Sequence, residues 1–266
     1  MRLRPFAFVF SLLFIASSIR SQTVTLRQVG KSNFFLTTPG YFNWRGALYT
    51  VDNQRSIYKT DLDSGVHTRI GKATYPMAKF FFGLNTKLYI VDNDGSMTEI
   101  DPISGDWKNV SAIGEWAPMD RVFVVANSLY SIQNGGLYYH RSTSATNRTQ
   151  RGGNDFFTPG SFIRADNRLY TLIRDGNLYE INMGTGEWKS INKAKNWKNL
   201  KAAQVLGDKF YSVDVSGALS VFSFADKTEK VLDKTQFERA RLMFAEAGRL
   251  YVIMNDGNLY EVKISE

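Results

Sequence analysis

Apolar residues in this chain come in short runs separated by polar turns, and nowhere do they sustain a helical period. One mark recurs: Leu-Tyr, once Phe-Tyr, closed by an apolar residue two positions after the Tyr. It occurs at Leu48-Tyr49-Thr50-Val51, Leu88-Tyr89-Ile90-Val91, Leu129-Tyr130-Ser131-Ile132, Leu169-Tyr170-Thr171-Leu172, Phe210-Tyr211-Ser212-Val213 and Leu250-Tyr251-Val252-Ile253. The spacings are 40, 41, 40, 41 and 40 residues. Each mark is followed by a polar turn, such as Asp92-Asn93-Asp94-Gly95 or Asn255-Asp256-Gly257-Asn258, of the kind that closes a hairpin. A second short strand, a second turn and a third strand follow, for example Leu178-Ile181, Gly184-Thr185-Gly186 and Trp188-Ile191. A fourth apolar stretch, such as Phe80-Phe82 or Val122-Val125, then leads into the next mark.

Four short strands in about 40 residues is the content of one propeller blade, and six such units predict an all-β, six-bladed β-propeller of four-stranded blades. The sixth unit lacks its outermost strand. The segment Thr25-Val29 supplies it, because Leu26 precedes Leu48 by the same 22 residues that separate Trp107 from Leu129 and Trp188 from Phe210. An N-terminal strand completing the last blade closes the ring and removes a bare sheet edge. The expected blades are 30–70, 71–110, 111–150, 151–191, 192–232 and 233–266, the last completed by 22–29, all in one domain spanning 22–266.

The first residues read differently. Arg2 and Arg4 precede an apolar run from Phe6 to Ala16, and small residues follow at Ser17, Ser18 and Ser21. This is a signal-peptide pattern, so residues 1–21 are expected to be cut after Ser18 or Ser21 and the chain to be secreted or periplasmic. The run is too short to span a bilayer, and no later segment does better. Removing Arg2, Arg4 and Arg20 lowers the formal charge from +8 to +5, a mild basicity with no block of like charge, which disfavours nucleic acid.

With no cysteine, disulfides, thiolate metal sites and cysteine catalysis are excluded, and with only His67 and His140 a poly-histidine metal site is excluded too. Neither histidine has a motif partner, and neither a nucleophile elbow nor a zinc-protease helix is present. No catalytic residue, metal or cofactor is expected. The sequons at Asn109 and Asn147 matter only in a host that glycosylates exported chains.

A second periodic feature sits 13 residues before each mark: Phe35, Tyr75, Trp116, Phe156, Trp197 and Phe237. These loop aromatics are either plugs between blades or exposed platforms for sugar rings. Asp92, Asp175, Asp214 and Asp256 lie in turns on the same face, where short carboxylates suit sugar hydroxyls as well as tight turns. Lys79, Arg121, Lys201 and Arg241 recur where the innermost strands begin, positioned to attract an anion at the channel mouth. The mark tyrosines, Trp107 and Trp188 are expected to be packed in the core.

The order Trp188-Lys189-Ser190-Ile191, Tyr211-Ser212-Val213, Gly217-Ala218-Leu219 resembles the repeats of tectonin and tachylectin-type propeller lectins. The Pro-Gly and Val-Trp-Gly-Val elements of tectonin repeats are absent. The resemblance implies a lectin; with no catalytic motif, the expectation is a non-enzymatic monomer that binds glycans at several quasi-equivalent loop sites. The other reading is an exported scaffold that holds a surface or extracellular protein on one face of the disc.

Overall fold

The computed structural model describes residues 22–36, 40–75, 77–156, 159–192 and 197–265. The expected signal segment, 1–21, lies outside them. Twenty-four strands form six four-stranded antiparallel sheets among the described residues. Five sheets are built from consecutive strands. The sixth joins Thr23–Val29 to the last three strands of the chain. Thr23–Val29 runs antiparallel to Leu259–Ser265 from Thr23 opposite Ser265 to Val29 opposite Leu259. An Arg27–Glu261 ion pair at 2.7 Å fastens the seam. This is the expected six-bladed propeller, closed by its N-terminal strand.

The innermost strands are Gly40–Trp44, Ala78–Leu84, Arg121–Val125, Pro159–Ala165, Leu200–Leu206 and Ala240–Glu246, and they line a central channel. The mark tetrapeptides form the next strand outward. Both sides of that strand face a neighbouring blade, which is why it is apolar almost throughout rather than alternating. All six mark tyrosines are buried. The core is divided into clusters shared between adjacent blades; one unites Phe42, Tyr49 and Ile57 of the first blade with Tyr75, Leu88 and Ile90 of the second. No blade can bury its two faces alone, so the ring is the cooperative unit.

The outermost strands face solvent. Trp107 lies there with 48% of its surface exposed, contrary to the expected core position, because its strand Trp107–Asn109 has no further layer outside it. Trp188 is half-buried, with its ring 5.1 Å from that of Phe156.

Candidate functional site

The loop aromatics decide between plug and platform at once. Phe35, Tyr75, Trp116 and Phe237 have no exposed surface, Phe156 retains 2% and Trp197 6%. The expected sugar platforms are therefore closed, and the physical reason is a backbone latch. The N–H of Phe35, Tyr75, Trp116, Phe156 and Trp197 donates to the carbonyl of Gly257, Arg55, Gly95, Gly135 and Gly176, at 2.8 to 3.0 Å. Each acceptor sits in the hairpin turn of the preceding blade. The bond draws the loop onto that hairpin and drives the ring of the aromatic between two blades. The turn residues have positive φ, and a Cβ on Gly95 or Gly257 would collide with the backbone of Ala117 or Leu36. Glycine therefore serves two needs there, the left-handed turn and the close approach of the next loop. In the first blade Arg55 adopts the same conformation, with φ of 63°.

The turn carboxylates are likewise engaged within the fold. Asp214 accepts from the Ser216 and Ala218 N–H groups and from the Ser216 hydroxyl, which hold its pKa below the usual carboxylate range. Asp175 accepts from the backbone and side chain of Asn177. Asp256 accepts from Asn258 and pairs with Arg239 at 3.3 Å. Asp92 accepts from the Asn93 N–H. These are turn-closing contacts, and they leave the carboxylates without the neighbouring exposed aromatic that a sugar site needs.

The basic positions have a cause that the spacing alone did not reveal. A β-bulge sits at the start of four innermost strands, and Lys79, Lys201 and Arg241 are the extra residues in three of them. A bulge re-aims its side chain. Here Lys79 donates to the Ala117 carbonyl at 3.0 Å, Lys201 to that of Glu238 at 2.6 Å and Arg241 to that of Phe35 at 2.9 Å. All three cap carbonyls in the loop of the next blade, so each cation ties blades together while remaining at the mouth. Arg121 begins a strand whose first pair, Arg121 opposite Ile132, is regular, and it is exposed on the rim.

What the ring does present is its channel. Arg164, from the fourth blade, crosses it and donates to the Asn43 carbonyl on the opposite blade and to the Val124 carbonyl at 3.4 Å. Asn43 in turn donates to Glu246 at 2.6 Å and to the Ala245 carbonyl at 2.8 Å, and Gln204 donates to the Arg164 carbonyl at 2.7 Å. Burial pushes the Arg164 guanidinium down, and the nearby Glu246 charge opposes that shift. This polar bar involves five blades. It separates a cavity of about 510 Å³ towards the loop face from one of about 250 Å³ towards the opposite face. The larger cavity is walled by Tyr41, Phe81, Phe123 and Phe162, with Lys201 and Arg241 among its charged lining. None of Arg164, Asn43, Gln204 and Glu246 was singled out in the sequence. The available signal was Arg164 itself, a charge five residues before Leu169, where the other blades place Asn43, Gly83, Val124, Val205 and Ala245.

Both histidines lie away from the channel. His140 is buried between Ser131 and Ser144 beneath Trp116, and burial pushes its pKa down to about 4. His67, in an outer strand, stacks on Phe34 with ring centroids 3.6 Å apart. Among the described residues no group of three or more His, Asp or Glu side chains could hold a metal ion. Among the described residues no helix is long and apolar enough to cross a membrane.

No protein-family model matches the chain, and no curated protein matches it. Solved structures do. The chain is similar to a virginiamycin B lyase from Staphylococcus aureus over 91% of its length and 99% of that chain, with a TM-score of 0.55 at 8% identity. It is similar to YCF48 from Cyanidioschyzon merolae over 82% of its length and 80% of that chain, with a TM-score of 0.54 at 11% identity. BamB from Moraxella catarrhalis aligns with a TM-score of 0.46 at 17% identity over 84% of this chain and 71% of its own. The first two likenesses establish the propeller class. The resemblance to tectonin and tachylectin repeats stays at the level of that class.

Proposed function

We propose that this protein is an exported, non-catalytic binding propeller that holds a partner protein on the face carrying the channel mouth. The carrying observation is the distribution of exposed apolar side chains. Leu36, Met77 and Ile113 are all more than half exposed, and they occupy the loops that lead into the innermost strands of three successive blades. Tyr41, at the mouth of the channel, is 39% exposed. Loops that needed only to turn could be polar. Val66 and Ile103 are also exposed, in the outer turns of two blades, but the run at the channel mouth spans three successive blades, and apolar tips repeated along one arc favour a protein surface. His140 is buried beneath Trp116, and His67 packs on Phe34 of the loop that carries Leu36; neither lines the channel. The signal-like N-terminus supports export. The glycan reading rested on six exposed platforms, and their burial removes its carriers.

The test is site-directed photo-crosslinking in the producing cells. A photoreactive residue at Met77 or Ile113 should give one discrete adduct that the same residue at Val66 or Ile103, on the opposite face, does not give. A Met77→Asp/Ile113→Asp double variant carrying the probe at Leu36 should lose the adduct while melting as the parent does. Equal labelling from both faces, or an adduct indifferent to the double variant, overturns the assignment.

A further inference from the structure

The larger channel cavity has a composition that partner docking does not explain. Its volume of about 510 Å³ lies inside the range of small-molecule pockets. Its wall is aromatic on the side of blades one to four. Phe81 meets Phe42 edge-on at 4.6 Å, and Phe123 and Phe162 stack at 5.6 Å, so these rings hold one another in place and the wall is preformed. The opposite wall is mainly aliphatic, with Leu200, Leu242 and Met243, and the small Ala202 and Ala203 leave room beside the rings. The charged lining is one-sided. Arg164 forms the floor, Lys201 and Arg241 lie higher up, and among the described residues no Asp or Glu lines this cavity. Glu246, the charge that faces Arg164, lines only the smaller cavity below the bar. A guanidinium has five N–H donors, and the carbonyls of Asn43 and Val124 engage two of its nitrogens.

We propose that this cavity binds a small amphiphilic monoanion, a free carboxylate on an unbranched or flat apolar body. The acid group sits at Arg164 and the body lies along Phe81, Phe123 and Phe162. Lys201 and Arg241 supply a positive field at the mouth that draws the anion in, while the weakly polar walls strengthen its attraction to Arg164. An uncharged body of the same length would gain the wall contacts alone, and a cation would meet three like charges. The site lies inside the ring, so its occupancy does not depend on the partner reading above.

Titration calorimetry of the mature protein with decanoate, decanol and decyltrimethylammonium tests the assignment. Decanoate should bind about tenfold more tightly than decanol, and the cation should not bind. Arg164→Gln should bring decanoate down to the affinity of decanol. Ala203→Trp narrows the cavity while keeping Arg164 and should abolish binding of both. It keeps the proposal testable if Arg164→Gln melts early. Arg241→Gln should weaken decanoate less than Arg164→Gln does, which separates a head group at the floor from one at the rim. Equal affinity for decanoate and decanol, binding unaffected by Ala203→Trp, or a larger loss from Arg241→Gln than from Arg164→Gln would each overturn it.

Discussion

Replacing Trp116 with Ala tests the latch most directly. The indole is fully buried between Phe82 and Tyr89 of one blade and Val124 and Leu129 of the next. Its backbone N–H, bonded to Gly95 at 2.8 Å, survives the substitution, so the change removes the plug and keeps the loop's tether. Burying a Trp removes about 200 Å² from water, or about 5 kcal/mol at 25 cal per Å² as an upper bound. Measured Trp-to-Ala core losses run at about 3–5 kcal/mol. In a chain of this size that corresponds to a fall in melting temperature of about 6–20 °C. A second variant sharpens the test. The Trp116 Nε1 is buried with no hydrogen-bond partner. Trp116→Phe sheds that unpaired donor, worth about 1–3 kcal/mol, while losing only part of the ring, so its net cost should be about 1 kcal/mol or less. Urea and thermal unfolding followed by near-ultraviolet circular dichroism measure both. An Ala variant that melts within about 2 °C of the parent would refute the plug. A Phe variant as damaged as the Ala one would refute the reasoning about the indole N–H.

Two further outcomes follow from the same seams. His140 is neutral in the fold, with its pKa pushed down to about 4 by burial, and it takes up a proton near its ordinary pKa of 6.5 when unfolded. Stability is therefore full above that value and should fall by up to about 1.4 kcal/mol per pH unit as the pH drops from there towards 4. His140→Gln should flatten that slope in urea unfolding at stepped pH, and an unchanged slope would contradict the assignment. Gly95→Ala and Gly46→Ala impose the same positive φ on Ala, but only Gly95 has the next blade's backbone against the new methyl. Gly46→Ala should cost about 1 kcal/mol and Gly95→Ala clearly more in the same unfolding assay; equal costs would mean that the close approach is not stabilising.

The blades were legible because the repeat is enforced by geometry. Each mark strand must be apolar on both sides, so Leu48-Tyr49 and its five counterparts could not drift in sequence without opening a core. Closure was legible for the same reason, since Leu26 keeps the offset of Trp107 and Trp188. The use of the loop aromatics was not legible. A plug and a platform place the same residue type at the same loop position, and the choice rests on where the backbone N–H of Trp116 or Trp197 finds its acceptor, which spacing does not encode. The second use of the basic rim, tying blades together, was hidden for a related reason. Lys79, Lys201 and Arg241 look like strand residues until the bulge turns them onto a neighbouring loop. Arg164 was visible as an odd charge in an apolar strand, but its partners come from blades one and three, brought together only by the ring.

The pairing of Thr23–Val29 with Leu259–Ser265 also sets an order of events during folding. The other strand pairings join neighbours along the chain, whereas the Arg27–Glu261 contact spans 234 residues. Relative to a single repeat of about 40 residues, closing that loop costs about 1.6 kcal/mol more in chain entropy. The hairpins and the contacts between successive blades can therefore accumulate first, and the ring shuts last. Until it does, Leu259–Ser265 is a bare strand edge whose main-chain groups can pair with another molecule. The molecule's exposure to misassembly is thus concentrated in one late interval and at one seam, and concentration during refolding, rather than the stability of the finished ring, should govern its yield.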